Sequence, residues 1–219
     1  LIKLKDKFIT LILYNFFMQS SKSPWYFIPT SYFLEGLPYA VINILSAVVY
    51  TRLKIPNETF IFWTSFLYLP WVLKMFWSPL VEGYSTKRNW IIYTQYLLAL
   101  LFLFIGVSFK MSNFFIISIC GFFVGAFISA TQDIALDGYY LLALNEKDQA
   151  FFVGWRTLFY RLSIIFISGP LVVLAGKLES HFTNQNVWSL IFFIIGLFII
   201  LLATYHKFIL PKFETENNR

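Results

Sequence analysis

Long apolar runs separated by short polar stretches set the pattern of this chain, and the length of each run predicts its element. A helix crosses the hydrocarbon of a bilayer with about 17–25 apolar residues. Stretches of that kind cover Trp25–Tyr50, Thr59–Val81, Trp90–Phe109, Phe114–Leu144, Phe151–Gly176 and Val187–Phe208. The connections "RLKIPNE", "STKRN", "KMSN", "NEKDQ" and "KLESHFTNQN" are short and polar. The pattern predicts an all-α polytopic membrane protein. Residues 1–24 form a cytoplasmic or interfacial lead-in, 25–209 a bundle of six transmembrane helices, and 210–219 a polar tail or a linker to a second half.

Composition agrees. Of 219 residues 58% are hydrophobic and 13% charged, with mean hydropathy +0.69, whereas soluble domains carry about 25% charged residues. Aromatic residues reach 21%, which suits lipid-facing surfaces and interfacial belts. The net charge of +6 comes from Lys and Arg placed mostly between the apolar runs, a topology signal rather than a nucleic-acid face. One cysteine, Cys120, gives neither a disulfide framework nor a cysteine metal site.

Basic residues also predict orientation. With the N-terminus inside, that side carries Lys3, Lys5, Lys7, Lys22, Lys87, Arg88, Lys147, Lys207, Lys212 and Arg219. The other carries only Arg52, Lys54, Lys110 and Lys177. Both termini are expected to be cytoplasmic. Ahead of the first span, "FITLILYNFF" after three lysines fits either a signal peptide or an interfacial amphipathic segment. Cleavage would start the next helix outside, against the charge bias, so the second is expected.

Ionisable residues fall inside these runs or at their edges: Glu35, Lys74, Glu82, Asp133, Asp137, Arg156 and Arg161. A charge near the bilayer centre costs about 2.5–3.5 kcal/mol on insertion scales, so such groups pair, line a watery cavity, or work. Counting rise from the connection between the fourth and fifth helices predicts Asp137 beside Arg156 and Asp133 beside Arg161. The same arithmetic sets Glu35 level with Lys74. A desolvated carboxylate next to a movable cation can exchange that cation for a proton. Simple salt bridges holding helices together are the plainer alternative. Asn43 and Gln95 join Glu35 and Lys74 as candidates for lining a central cavity. Gly121, Gly125 and Ser129 recur every four residues ahead of Asp133, a spacing for close helix packing. Gly36 and Pro38 predict a kink that frees backbone carbonyls near Glu35. Pro79 and Gly83 read as a stop to the second helix.

The stretches "YFLEGLPYAV", "LYLPWVLKMFWSPLVEGY", "ATQDIALDGYYLLAL" and "GWRTLFYRLSIIF", in this order, resemble the muropeptide permeases of the AmpG type. Those belong to the major facilitator superfamily, in its peptide and acetyl-coenzyme-A transporter branch. The likeness runs from about Ser23 to Gly176. It implies the N-terminal half of a twelve-helix transporter with internal 3+3 inverted repeats, binding substrate between two halves by alternating access. It also implies a bacterial inner membrane and proton-driven import of anhydromuropeptides. Asp133, Asp137, Arg156 and Arg161, carboxylates beside movable cations, are the expected coupling network. Protons, lipid, a second six-helix half and a small-molecule cargo are the expected partners. No cofactor, metal or nucleic acid is expected. One motif departs from the superfamily. Its loop after the second helix usually reads Gly-x-x-x-Asp-Arg with a basic cluster. Here Ser78, Glu82 and Gly83 occupy those positions, and Lys87 and Arg88 supply the basic end of this candidate gate.

Rival readings fare less well. Asp133 and Asp137 one turn apart would suit a metal-dependent membrane transferase, since paired carboxylates hold Mg²⁺ on a diphosphate. Such an enzyme needs a second acidic cluster, which the spans of the fifth and sixth helices lack. Both histidines, His181 and His206, sit at span ends or in loops, and no H-E-x-x-H or G-x-S-x-G is present. A purely structural membrane subunit has no use for Glu35, Lys74, Asp133 or Arg161. An importer is therefore expected, with acetyl-coenzyme A or another small cargo as the alternative to a muropeptide.

Overall fold

The computed structural model describes residues 23–213, so residues 1–22 of the lead-in and 214–219 of the tail lie outside the described residues. Within them, helices long and apolar enough to cross a membrane are α1 (Pro24–Arg52), α2 (Asn57–Phe76), α3 (Lys87–Ser108), α4 (Phe114–Ala143), α5 (Glu146–Leu178) and α6 (Asn184–Ile209). All six expected spans are present, with shifts at their ends. Helix α5 begins five residues before the predicted Phe151, because Asn145 caps it by accepting from the Asp148 backbone N–H at 3.0 Å. The polar "NEKDQ" is thus mostly a first helical turn, with Glu146 and Asp148 favourably placed at the positive end of the helix. Thr86 does the same for α3, accepting from Asn89 N–H at 3.1 Å, so Lys87 and Arg88 lie in a helix and not in a loop.

Prolines shape the rest. The carbonyl of Leu34 cannot be served by Pro38, which has no N–H. Gln132 of α4 donates to it at 3.4 Å. The expected distortion of α1 follows as a wide π turn over Val41–Leu45. A second π turn, Ile167–Leu171, contains Pro170 of α5, and the two π turns touch. In α2, 3-10 turns at Phe66–Tyr68 and Lys74–Phe76 bracket Pro70. α2 ends at Phe76, with a break at Trp77 just ahead of Pro79. Pro79 then stands in the first turn of a separate short helix, Ser78–Tyr84, at a position where its missing N–H does no harm. Gly83 lies within that helix.

Packing runs mainly α3 on α6, α3 on α4, and α1 on α5, with α2 laid against α4. Phe102, Phe122, Trp188 and Phe192 fill the buried centre. Small residues set the close approaches. A Cβ on Gly121 would stand 2.9 Å from Ile105, and one on Gly125 3.0 Å from Leu101, as their spacing predicted. A Cβ on Gly36 would stand 2.6 Å from the Tyr160 carbonyl, which fixes the α1–α5 distance.

Candidate functional site

Five ionisable side chains from four helices converge between α1, α2, α4 and α5. Asp133 and Asp137 are four residues apart on α4, about 40° apart around an α-helix, and so share a face. Asp137 is paired with Arg156 of α5, as depth counting predicted. Asp133 is paired with Lys74 of α2, not with Arg161. The correction has a geometric cause. Arg156 and Arg161 are five residues apart, hence about 140° apart around α5, and cannot both face α4. Arg161 is exposed and makes no ion pair among the described residues. Lys74 is likewise not bonded to Glu35. Each residue in a 3-10 turn advances about 120° instead of 100°, so the turns in α2 rotate its end away from the uniform-helix expectation.

Glu35 nonetheless belongs to the cluster, interacting electrostatically with Asp133, Asp137 and Arg156. It is 8% exposed, and its Oε2 has no hydrogen-bond partner. Arg156 is held between two aromatic rings, its Cζ 4.7 Å from the centre of Tyr32 and 4.8 Å from Tyr140, an arrangement that favours the cation. The four paired side chains retain 15–43% of their surface, Asp137 the most and Asp133 the least. On the same helices, Tyr39 packs edge-on against Trp71 at 5.2 Å and near Tyr68 and Tyr160. Two cations face three carboxylates, beside an aromatic wall.

Other expected site residues lie elsewhere. Gln95 does not line a central cavity. It has no exposed surface, and its Oε1 lies 2.9 Å from Nδ1 of His206, whose Nε2 lies 2.9 Å from Thr30 Oγ1. His206 is near the end of α6, as read from sequence, yet is fully enclosed. Only the packing of α1, α3 and α6 reveals this network. Asn43 donates to the Tyr39 carbonyl of its own helix at 3.1 Å. Of the candidate gate, Glu82 is exposed. Lys87 is buried, its aliphatic chain 2.9 Å from where a Gly138 Cβ would stand. Arg88 donates from Nε to the Leu210 carbonyl at 2.8 Å, and from NH2 to that of Lys207, closing the free carbonyls at the end of α6. Sequence reading passed over Gln132, Tyr32 and Tyr140, because a polar neighbour in a helix and two tyrosines among thirteen carry no periodic signal.

No family model matches the chain. It is similar to a protein of Rickettsia prowazekii (strain Madrid E) named as a candidate AmpG transporter, AmpG 3. Identity is 31% over 158 residues, covering 54% of this chain and 37% of the relative. It is also similar to the protein of Escherichia coli (strain K12) named anhydromuropeptide permease, at 29% over 155 residues, 66% of this chain and 30% of that one. An uncharacterised Haemophilus influenzae protein is 26% identical over 174 residues, 77% of this chain and 40% of the relative. The chain spans less than half the length of these relatives. The resemblance to AmpG-type permeases thus holds beyond the four motifs that suggested it, and the chain is an integral membrane protein.

Proposed function

We propose that this chain is one half of a proton-coupled importer of anhydromuropeptides or closely related cell-wall peptides. The charge imbalance of the cluster carries the reading. Lys74 and Arg156 can neutralise two carboxylates, and Glu35, the most buried of the three, is left with an unpartnered oxygen. A third positive charge completes the set, supplied by a proton or by a cationic group of the cargo. Asp133 and Asp137 exchange Lys74 and Arg156 for that charge as this half rocks against a second one, in alternating access. Arg161 takes part from α5 once the halves move.

The cargo class rests on chemistry beside the charges. Tyr39, Tyr68, Trp71 and Tyr160 offer ring faces for a sugar, while Lys74 offers a cation to stem-peptide carboxylates. The name of the Escherichia coli relative points the same way. The described ends of the chain lie at one end of the bundle, since Tyr205 donates to the Tyr26 carbonyl at 2.6 Å. We place that end on the cytoplasmic side of a bacterial inner membrane, from the Lys and Arg bias.

The test uses the whole protein that carries this chain, in proteoliposomes with an internal pH dye. Anhydromuropeptide added outside drives proton entry in the wild type. Asp133→Asn abolishes it while the protein still folds. Equal proton entry in both reduces the cluster to structural salt bridges. No entry in the wild type, but entry with acetyl-coenzyme A, replaces the cargo and keeps the mechanism.

A further inference from the structure

At the end of the bundle where α3 starts and α6 stops, three cations surround one groove. Arg88 stands on the first turn of α3, Lys207 on the last turn of α6, and Lys212 on the segment that follows. The groove between them has a volume of about 430 Å³ and shares Arg88, Asn89 and Lys212 with a neighbouring one of about 230 Å³. None of the three cations has an ion-pair partner among the described residues. Arg88 is fixed in place by the carbonyls of Lys207 in α6 and of Leu210 just after it, and a guanidinium has five N–H donors, so three remain for an anion. The lysines are exposed and free to fold in from either side.

The sides of the groove are as informative as its floor. Tyr93 and Phe208 line it and are 59% and 72% exposed, aromatic residues where a membrane interface would be. Along α3 the exposed face continues through Leu97, Leu100 and Phe104. From Tyr93 to Phe104 this apolar stripe is about 16 Å long at helical rise. On α6, Leu197 and Leu201 do the same. A soluble phosphate would use the cations and leave the stripes bare. A molecule with an anionic head and long apolar chains would use both.

We propose that this groove binds the headgroup of an anionic phospholipid, with its phosphate among Arg88, Lys207 and Lys212 and its acyl chains along the exposed faces of α3 and α6. Basic pockets between membrane helices suit such headgroups, and each cation near the surface strengthens the attraction several-fold. The occupied groove ties the start of α3 to the end of α6 from outside, as Arg88 does from within.

Native mass spectrometry of the whole protein, offered phosphatidylglycerol and phosphatidylcholine of equal chain length, tests this. Wild type retains phosphatidylglycerol in preference by on the order of a hundredfold, the effect of three surface cations. Lys207→Gln with Lys212→Gln lowers that preference roughly thirty-fold, and Lys207→Arg with Lys212→Arg keeps it. Lys54→Gln with Lys110→Gln, exposed lysines at the other end, leaves it unchanged. Excess glycerol 3-phosphate does not displace the lipid. Equal retention of the two lipids, undiminished preference in the double glutamine variant, or displacement by glycerol 3-phosphate would each overturn the proposal.

Discussion

Two regions of this bundle bury polar side chains within the spans, and they do so in opposite ways. Between α1, α2, α4 and α5 the groups are formally charged, with one acid in excess, and all but Glu35 are partly exposed. Between α1, α3 and α6, Thr30, Gln95 and His206 form a chain with Gln95 and His206 at 0% exposure, and Tyr96 adds a 3.0 Å bond to Thr204. Ionised groups are far more expensive to strip of water than amides and hydroxyls. The four ion-paired groups accordingly keep part of their surface exposed, and Glu35 is the one acid of the cluster that is buried. The sealed seam between α1, α3 and α6 holds neutral groups, linked through Gln95 Oε1, the His206 ring and Thr30, with the Gln95 Nε2 left unpartnered. Under the proposed function, the charged region is the one that changes and the neutral seam the one that stays closed.

Four sets of variants sharpen that contrast. The largest effect on stability is expected from Gly36→Ala, which drives a methyl into the backbone of α5 at Tyr160. A loss of about 3 kcal/mol, the upper end for overpacking, should appear in thermal unfolding in detergent. Closing the charged seam incorrectly should also lower transport in the surviving folded fraction. Next, His206→Leu leaves the buried Gln95 amide with one partner fewer, at about 2 kcal/mol. Adding Gln95→Leu should restore much of this loss, because two apolar partners leave nothing unpaired. Cargo-driven proton entry per folded molecule should match wild type in both, and its loss would move the neutral network into the coupling machinery.

A smaller stability change accompanies the matching experiment on the charged side. Lys74→Gln with Asp133→Asn removes a partly buried ion pair as a unit, so stability should stay within about 1 kcal/mol of wild type. Transport should nevertheless vanish. Retained transport would make the two regions equivalent and the pair merely structural. Outside both regions lies the smallest effect. Lys54 has φ of 61° in the turn after α1, where the Ile55 N–H reaches back to the Tyr50 carbonyl at 3.0 Å. Glycine adopts that conformation without strain, so Lys54→Gly should raise stability by about 0.5–1 kcal/mol. No change in transport is expected.

Legibility from sequence differed in kind between these features. The spans could be read because lipid imposes a length and a composition on each helix separately. The Asp137–Arg156 pair could be read because its members flank one short connection, so counting residues is enough. Close packing at Gly121 and Gly125 followed from their spacing alone. Asp133 was harder. Its partner depended on the winding of α2, where proline-induced 3-10 turns shift every later side chain, and on Arg161 facing away from α4. Gln95 and His206 are 111 positions apart, and nothing local links them.

The sequence by itself determined what each segment must satisfy alone: six apolar helices, a distortion at Pro38, close packing at Gly121 and Gly125, and acids that lipid will not tolerate unpaired. Only the tertiary structure decided which partner each charge meets, which carboxylate is left over, and which polar groups are sealed. The physical reason is one of range. Hydrophobic length and backbone hydrogen bonding act within a helix, whereas ion pairing depends on the rotation of two helices about their own axes, and a single tightened turn changes it.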